Sequence, residues 1–338
     1  MKLPKYLLAA VAATALSTAA SAGTLDDVKA KGFIQCGVTT GLAGFGAPND
    51  AGEWAGFDID FCRALGAAIF NDPQAVKFTP TTGVDRFPAL QSGEVDLLAR
   101  NTTWTFSRDV NLGFEFVGVN YYDGQGFMIN KDMGVSSAKE LDGASVCIQT
   151  GTTTELNLAD FFRANEMSFT SVVVQTADEA RQAYEARRCD VYTTDASGLA
   201  AQRSTMANPD EHIILPEIIS KEPLGPLVRH GDNNWGDIVR WTLNALIIAE
   251  ELGITSGNAV SEKSASTNPE VRRLLGAEGD TGQQLGLDVD WAYNAIKSVG
   301  NYGEIFERNI GVTTPLALER GLNALWTNGG ILYAPPMR

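Results

Sequence analysis

The chain has 338 residues, a formal charge of −15 and only 20% charged residues, so it lacks the basic surface that a nucleic-acid partner demands. Its two histidines, His212 and His230, stand far apart and outside any ligand-spaced cluster, so neither a metal site nor a cofactor is expected. A chain of this length can bury a large core and tends to divide into two domains.

The first elements concern export. Met1–Lys5 is basic, Tyr6–Ala15 is apolar and small, and Ala20-Ser21-Ala22 forms an A-x-A site ahead of Gly23. This is the pattern of a cleaved signal peptide over residues 1–22, and its removal takes away Lys2 and Lys5, making the mature chain more acidic still. No later segment reaches about 18 consecutive apolar residues, the length a membrane helix needs; even Leu243–Ala249 runs into Glu250 and Glu251. In an exported chain the four cysteines, Cys36, Cys62, Cys147 and Cys189, favour disulfides over metal ligation or catalysis. Three pairings are possible, and Cys36 with Cys62 and Cys147 with Cys189 keeps each pair within one expected lobe.

After a short helix near Leu25–Lys31, Phe33–Val38 reads as a buried strand and Thr39–Gly56 as a Gly-rich loop. Phe57, Phe61, Ala64, Leu65 and Ala68 then fall on one face at helical spacing, and Asp58 and Asp60 occupy the first turn, where the helix dipole favours them. A strand at Val76–Thr79, a helix at Asp85–Ser92 and a strand at Val95–Arg100 follow, and the same alternation returns over 145–194. Alternation of this kind predicts helix-covered, largely parallel sheets. Asp85-Arg86-x-x-Ala89-Leu90 leading to Val95-Asp96-Leu97 has the same spacing as Glu179-Ala180-x-x-Ala183-Tyr184 leading to Cys189-Asp190-Val191, which suggests two lobes built alike. Gly124–Asn130 and Pro223–Arg229 are the candidate crossing strands. The predicted division is a first lobe of 23–127 plus 228–338 and a second, inserted lobe of 128–227, with Trp235–Glu251 the clearest helix of the tail.

In open parallel sheets, ligands bind beyond the carboxyl ends of the strands. Three such ends carry useful chemistry. Asn101-Thr102-Thr103-Trp104-Thr105-Phe106-Ser107-Arg108 follows one strand, Thr150-Gly151-Thr152-Thr153-Thr154-Glu155 a second, and Asp195 a third. Thr152 and Glu155 have capping-box spacing, and a helix start offers free backbone N–H groups to a carboxylate. Arg108 has the planar fork that grips a carboxylate, and Asp195 is an acceptor for an ammonium. Each taken singly also fits an ordinary cap or ion pair; together, at equivalent ends of two lobes, they form a clamp for a zwitterion.

Gly56-Phe57-Asp58-Ile59-Asp60-Phe61-Cys62-Arg63-Ala64-Leu65-Gly66-Ala67-Ala68-Ile69 resembles the signature of the family 3 extracellular solute-binding proteins of amino-acid ABC importers. Asn101-Thr102-Thr103-Trp104-Thr105, Trp291-Ala292-Tyr293 and Val299-Gly300-Asn301-Tyr302-Gly303-Glu304 are similar to its general L-amino-acid-binding branch. The resemblance implies an α/β, two-lobed periplasmic binding fold of type II kind, each lobe a helix-covered sheet, joined by two crossing strands and closing by a hinge. It implies that Arg108, Thr103 and the Thr153 backbone N–H hold an α-carboxylate, and that Asp195 and Asn101 hold an α-ammonium. It also implies a periplasmic monomer that binds free L-amino acids, several of them and polar or acidic ones preferentially, for the membrane permease of an importer.

The chain departs from that family where relatives place an acidic residue and an aromatic after the first strand. Here stand Thr39, Thr40, Gly41 and Leu42, with Thr82 and Gly83 in place of a further aromatic. Small residues imply a roomier pocket, and Trp54 and Trp104 are either substitute aromatic walls or buried core residues. Two rival functions are a dehydratase-type periplasmic enzyme, which needs a further acid or base such as Glu155 or Asp123, and an amino-acid sensor domain, which is normally tethered. Gly41-x-x-Gly44-x-Gly46 lies about ten residues too far from a helix for a dinucleotide loop, and Ala196-Ser197-Gly198 lacks the nucleophile-elbow pattern.

Overall fold

A computed structural model describes residues 23–49 and 51–338; the expected signal peptide at 1–22 lies outside them. Helix α1 (Thr24–Lys31) carries Asp26 and Asp27 in its first turn and Lys29 and Lys31 in its last, complementing the dipole. Strand β1 (Ile34–Thr39) follows, and the Gly-rich loop folds into a small ribbon of β2 (Ala47–Pro48) and β3 (Trp54–Ala55). Helix α2 (Phe57–Phe70) starts at Gly56, whose φ of 136° puts the backbone against Phe45; a Cβ there would lie 2.3 Å from the Phe45 carbonyl oxygen. Strand β4 (Val76–Thr81), helix α3 (Arg86–Ser92), strand β5 (Leu97–Leu98) and, after one π-turn at Ser107–Asn111, strand β6 (Phe114–Phe116) complete the first run.

The chain then leaves through β7 (Tyr121–Asp123) and enters β8 (Gln125–Asn130), β9 (Ser145–Gln149), α4 (Thr154–Ala164), β10 (Thr170–Val174), α5 (Ala177–Glu185), β11 (Val191–Asp195), α6 (Ala196–Ser204) and β12 (His212–Ile214). It returns through β13 (Glu222–Leu224) to β14 (Leu227–Arg229), and the tail is helical: α7 (Asn233–Glu251), α8 (Ala259–Ala265), α9 (Pro269–Leu274), α10 (Thr281–Leu285), α11 (Trp291–Val299) and α12 (Tyr302–Asn309). Among the described residues no helix is long and apolar enough to cross a membrane.

Two five-stranded sheets result, in the orders β4-β1-β5-β14-β6 and β10-β9-β11-β8-β12. In each, the first three strands run parallel and the fourth is antiparallel to its neighbours. Alternate residues of the second sheet face two cores. Phe127, Val146, Ile148 and Val191 pack on one side, and Met128, Cys147 and Tyr192 on the other. The first sheet is sandwiched likewise, with Leu97 and Val228 toward the tail helices and Leu98 and Leu227 toward α3. Both faces buried is what parallel, helix-connected strands require.

The repeat seen in the sequence has a structural counterpart. The Asp96 carboxylate accepts from the Gln35 N–H at 2.6 Å, and Asp190 accepts from the Ser145 N–H at 2.9 Å. Each aspartate thereby holds the entry of the middle one of its sheet's three parallel strands, β1 or β9. The cysteines pair as Cys36–Cys62, tying β1 to α2, and Cys147–Cys189, tying β9 to the turn before β11.

The crossing segments differ from expectation. Gln125–Asn130 sits wholly inside the second sheet, buried throughout, and of Pro223–Arg229 only Pro223 and Leu224 lie in the crossing strand, Leu227–Arg229 belonging to the first sheet. The chain crosses one step earlier, in an antiparallel ribbon pairing Tyr121 with Leu224, Tyr122 with Pro223 and Asp123 with Glu222. Asn323 of the tail grips this ribbon as a third strand would, accepting from Tyr122 N–H at 2.6 Å and donating to Tyr122 O at 3.1 Å. Tyr302 adds a hydroxyl bond to Asn120 O at 2.8 Å.

Candidate functional site

The carboxyl ends of β4, β5, β9 and β11 converge on one narrow cavity of about 30 Å³, lined by residues of both sheets' loops. Its rim is closed by backbone. A Cβ on Gly83, after β4, would lie 2.6 Å from Thr150 O, and one on Gly151 would lie 2.9 Å from Gly83, so glycine on each side permits the approach. Arg86 crosses the same rim, donating from Nη2 to Gly151 O at 3.0 Å.

Asn101, Thr103, Arg108, Thr153 and Asp195 all line this cavity. Arg108 is buried at the π-turn and donates from Nη1 to Thr103 O at 2.8 Å, with its guanidinium over the Phe87 ring at 5.3 Å. Burial holds its pKa below the usual arginine value. Thr153 stands at the mouth of α4, and its backbone N–H finds no acceptor among the described residues. The expected capping box is absent: Thr152 Oγ1 accepts from Thr154 N–H at 3.3 Å rather than from Glu155, and the helix starts one residue later than the spacing predicted. The hydroxyls of Thr103 and Thr153 both donate to Glu222 Oε2, at 2.6 and 2.9 Å. Glu222 on the crossing ribbon thus stitches both loops to the hinge.

Asp195 ends β11 immediately before α6. Its carboxylate accepts no hydrogen bond among the described residues, and burial, then the nearby Asp123 and Glu222 carboxylates, hold its pKa well above the usual carboxylate range. An approaching ammonium relieves each of these costs. Asn101 sits at φ 39°, a left-handed conformation that asparagine tolerates. That geometry points its N–H at Asp58 Oδ2, 3.1 Å away, and leaves its buried Oδ1 without a donor. Asp58, raised to about 6 chiefly by burial, is held on its other oxygen by Asn120 Nδ2 at 3.3 Å.

The structure does not bring Trp104 to the cavity wall. Its indole stacks on Phe116 at 5.6 Å and donates to Asp109 at 2.6 Å. Trp54 is likewise elsewhere, against Phe78. The lining residues that went unassigned in the sequence include two arginines: Arg86, there only a member of the repeat, and Arg100, there the last residue of a strand. Both are buried, and among the described residues no carboxylate lies within ion-pair distance of Arg86, Arg100 or Arg108. A charged side chain at the buried end of an otherwise apolar strand, Leu97-Leu98-Ala99-Arg100, was the signal available. Beyond the rim, Arg108, Thr152 and Thr153 also border a wider cleft of about 540 Å³ walled by Phe87, Leu112 and Leu156.

The model of the bacterial extracellular solute-binding proteins, family 3, matches residues 34–312. The chain is 62% identical to the general L-amino acid-binding periplasmic protein AapJ of Rhizobium johnstonii, over 99% of each chain. It is 59% identical, over 100% of each chain, to the glutamate/glutamine/aspartate/asparagine-binding protein BztA of Rhodobacter capsulatus. A solved ABC-transporter periplasmic binding protein from Brucella ovis, with glutathione bound, matches with a TM-score of 0.91 and 62% identity, covering 94% of this chain and 100% of that one.

Proposed function

The chain belongs to the bacterial extracellular solute-binding proteins, family 3, and from that premise we propose that it captures free L-amino acids by their shared α-groups and presents them to the membrane subunits of an ABC importer. The observation that carries this reading is the pairing of an unengaged buried carboxylate, Asp195, with the Arg108 fork and the free Thr153 N–H across one cavity. Arg108 and the Thr153 N–H hold the α-carboxylate, and Asp195 with Asn101 Oδ1 holds the α-ammonium. Thr103 acts on Arg108 through its carbonyl oxygen, and Trp104 is a packing residue rather than a wall of the site. Relatives described as amino-acid-binding proteins, one of them periplasmic, support a binding role in the periplasm; removal of the exported span at 1–22 and a monomeric mature chain are part of the proposal.

The working units are the two lobes expected from the sequence, 23–127 plus 228–338 and 128–227, their limits drawn in to the ribbon of β7 and β13. Opening about that ribbon parts Gly83 from Gly151 and admits the ligand; closure buries it. Net contributions of roughly 1.5–3 kcal/mol per charge-assisted bond leave part of the about 8 kcal/mol of micromolar affinity to the side chain, which fits a receptor for several amino acids.

Calorimetry of the ligand-stripped protein against the L-amino acids tests the reading. Micromolar or tighter binding of several of them is expected, weakened at least about 30-fold by Arg108→Ala and by Asp195→Ala. Absence of binding by the unaltered protein refutes it.

A further inference from the structure

Three guanidiniums meet in the cavity, and the zwitterion clamp uses one. Arg86 is engaged at the rim: Nη2 donates to Gly151 O and Nη1 to Thr102 Oγ1 at 3.3 Å. Arg100 differs from both of its neighbours. It is 4% exposed and anchored by one hydrogen bond among the described residues, Nε to Thr81 O at 3.1 Å, while neither Nη group has an acceptor. That leaves the paired edge of the fork, the edge that grips a carboxylate, lining the cavity.

The surrounding acids do not fill that edge. Both oxygens of Asp58 are taken by Asn101 and Asn120. Those of Glu222 are taken by Thr103, Thr153, Asn157 and Ser220, and Asp123 is bonded by Ser197 and Gly124. The remaining carboxylate, Asp195, is the ammonium acceptor. Arg108 borders both the cavity and the outer cleft, whereas Arg100 borders the cavity alone, so Arg100 is the inner of the two.

We infer that Arg100 is a specificity-determining residue, whose free Nη pair binds a second carboxylate at the far end of a dicarboxylic ligand held at its α-groups by Arg108 and Asp195. The inference rests on the amino-acid-binding reading above and goes further by naming the ligand class and the side chain that selects it. A ligand carboxylate at this position supplies the anion that a buried guanidinium otherwise lacks. Neutral ligands are held by the α-clamp alone and gain nothing from Arg100.

The test is a ratio. Calorimetry with L-glutamate and L-glutamine, which differ little in shape and by one charge, is run on the unaltered protein, Arg100→Met and Arg100→Lys. Arg100→Met is expected to weaken glutamate about 10- to 100-fold while moving glutamine less than about 3-fold, and Arg100→Lys to recover part of the glutamate loss. The unmoved glutamine affinity separates this role from a structural one beside Asp58, which would weaken both ligands. Should Arg100→Met not fold, Asp58→Asn with Arg100→Met removes the buried opposite charges together and is read the same way. Equal loss of both ligands, or no change in their ratio, overturns the role of Arg100 and leaves the amino-acid reading intact. An unaltered protein that binds neither overturns both.

Discussion

The two sheets share strand order, strand direction and even the aspartate that holds the middle parallel strand, yet their ligand-facing ends have opposite character. Aligned through the repeat, Arg86 corresponds to Ala180, Arg100 to Thr194 and Asn101 to Asp195. One lobe presents guanidiniums and the other a carboxylate and hydroxyls, from the same places on the same scaffold. The backbone architecture decides where a ligand sits, and a few residues at strand ends decide which charge it must carry. The lobes differ in a second way. The first has an extensive core continued by six tail helices, with a smaller cluster under α3, whereas the second divides its apolar residues into two small clusters on either face of its sheet.

That second difference gives the largest expected effect. On the chain-entropy account, closing 26 residues by Cys36–Cys62 and 42 by Cys147–Cys189 stabilises by about 3.5 and 4 kcal/mol. Replacing Cys147 and Cys189 by Ala should make the small-cored lobe unfold first, turning urea denaturation followed by circular dichroism into two steps; replacing Cys36 and Cys62 should instead leave one step at lower urea. Identical single-step curves from both pairs would remove the distinction between the lobes.

The charge contrast predicts a pH effect of intermediate size. Asp195 faces Asp123, Glu222, Arg86 and Arg108, and its raised pKa means that it takes up a proton before an ordinary carboxylate does. Ammonium binding needs the ionised form. As pH falls through the elevated pKa, the proton competes with the ligand, and affinity should drop by up to about tenfold per pH unit. Binding should also release a proton there, visible as a calorimetric enthalpy that depends on the buffer. Asp195→Asn should abolish both signs; a pH-independent affinity from about pH 8 to 5 would remove Asp195 as the acidic pole.

Trp104 gives the smallest effect. Because its indole packs on Phe116 outside the cavity, Trp104→Ala should change amino-acid affinity less than about 3-fold while lowering stability through lost aromatic packing, about 1 kcal/mol. Thermal melts and calorimetry on one preparation separate the two.

The two-lobed architecture and the parallel alternation were legible because they rest on local signals: apolar runs of strand length and helical spacing in Phe57–Phe70; the residues proposed as the clamp's poles, chosen as functional types just beyond strands, line one cavity. The crossing ribbon was misplaced by a few residues, since Gln125–Asn130 has the same Gly-flanked, extended character as a hinge and only tertiary pairing tells them apart. Thr152 carried a capping motif that the loop did not use, because its Oγ1 bonds back to Gln149 O at 2.7 Å instead. Arg86 and Arg100 were overlooked for a different reason. The partners that bury them lie far off in sequence, Gly151 of the other lobe for Arg86 in α3 and Thr81 of β4 for Arg100, so only the apolar run ending in Arg100 gave a local hint.

The grip of Asn323 on Tyr122 has a consequence for the order in which the molecule can be completed. An exported chain crosses the membrane amino end first, and domains fold as their residues emerge. The inserted lobe is contiguous and has all its strands once Ile214 is made. The first sheet must wait for β14, threaded between strands made more than a hundred residues earlier, and its hinge for a side chain fifteen residues from the terminus. A truncated product ending before Asn323 would thus carry every residue of the clamp and lack the peg that seats its hinge.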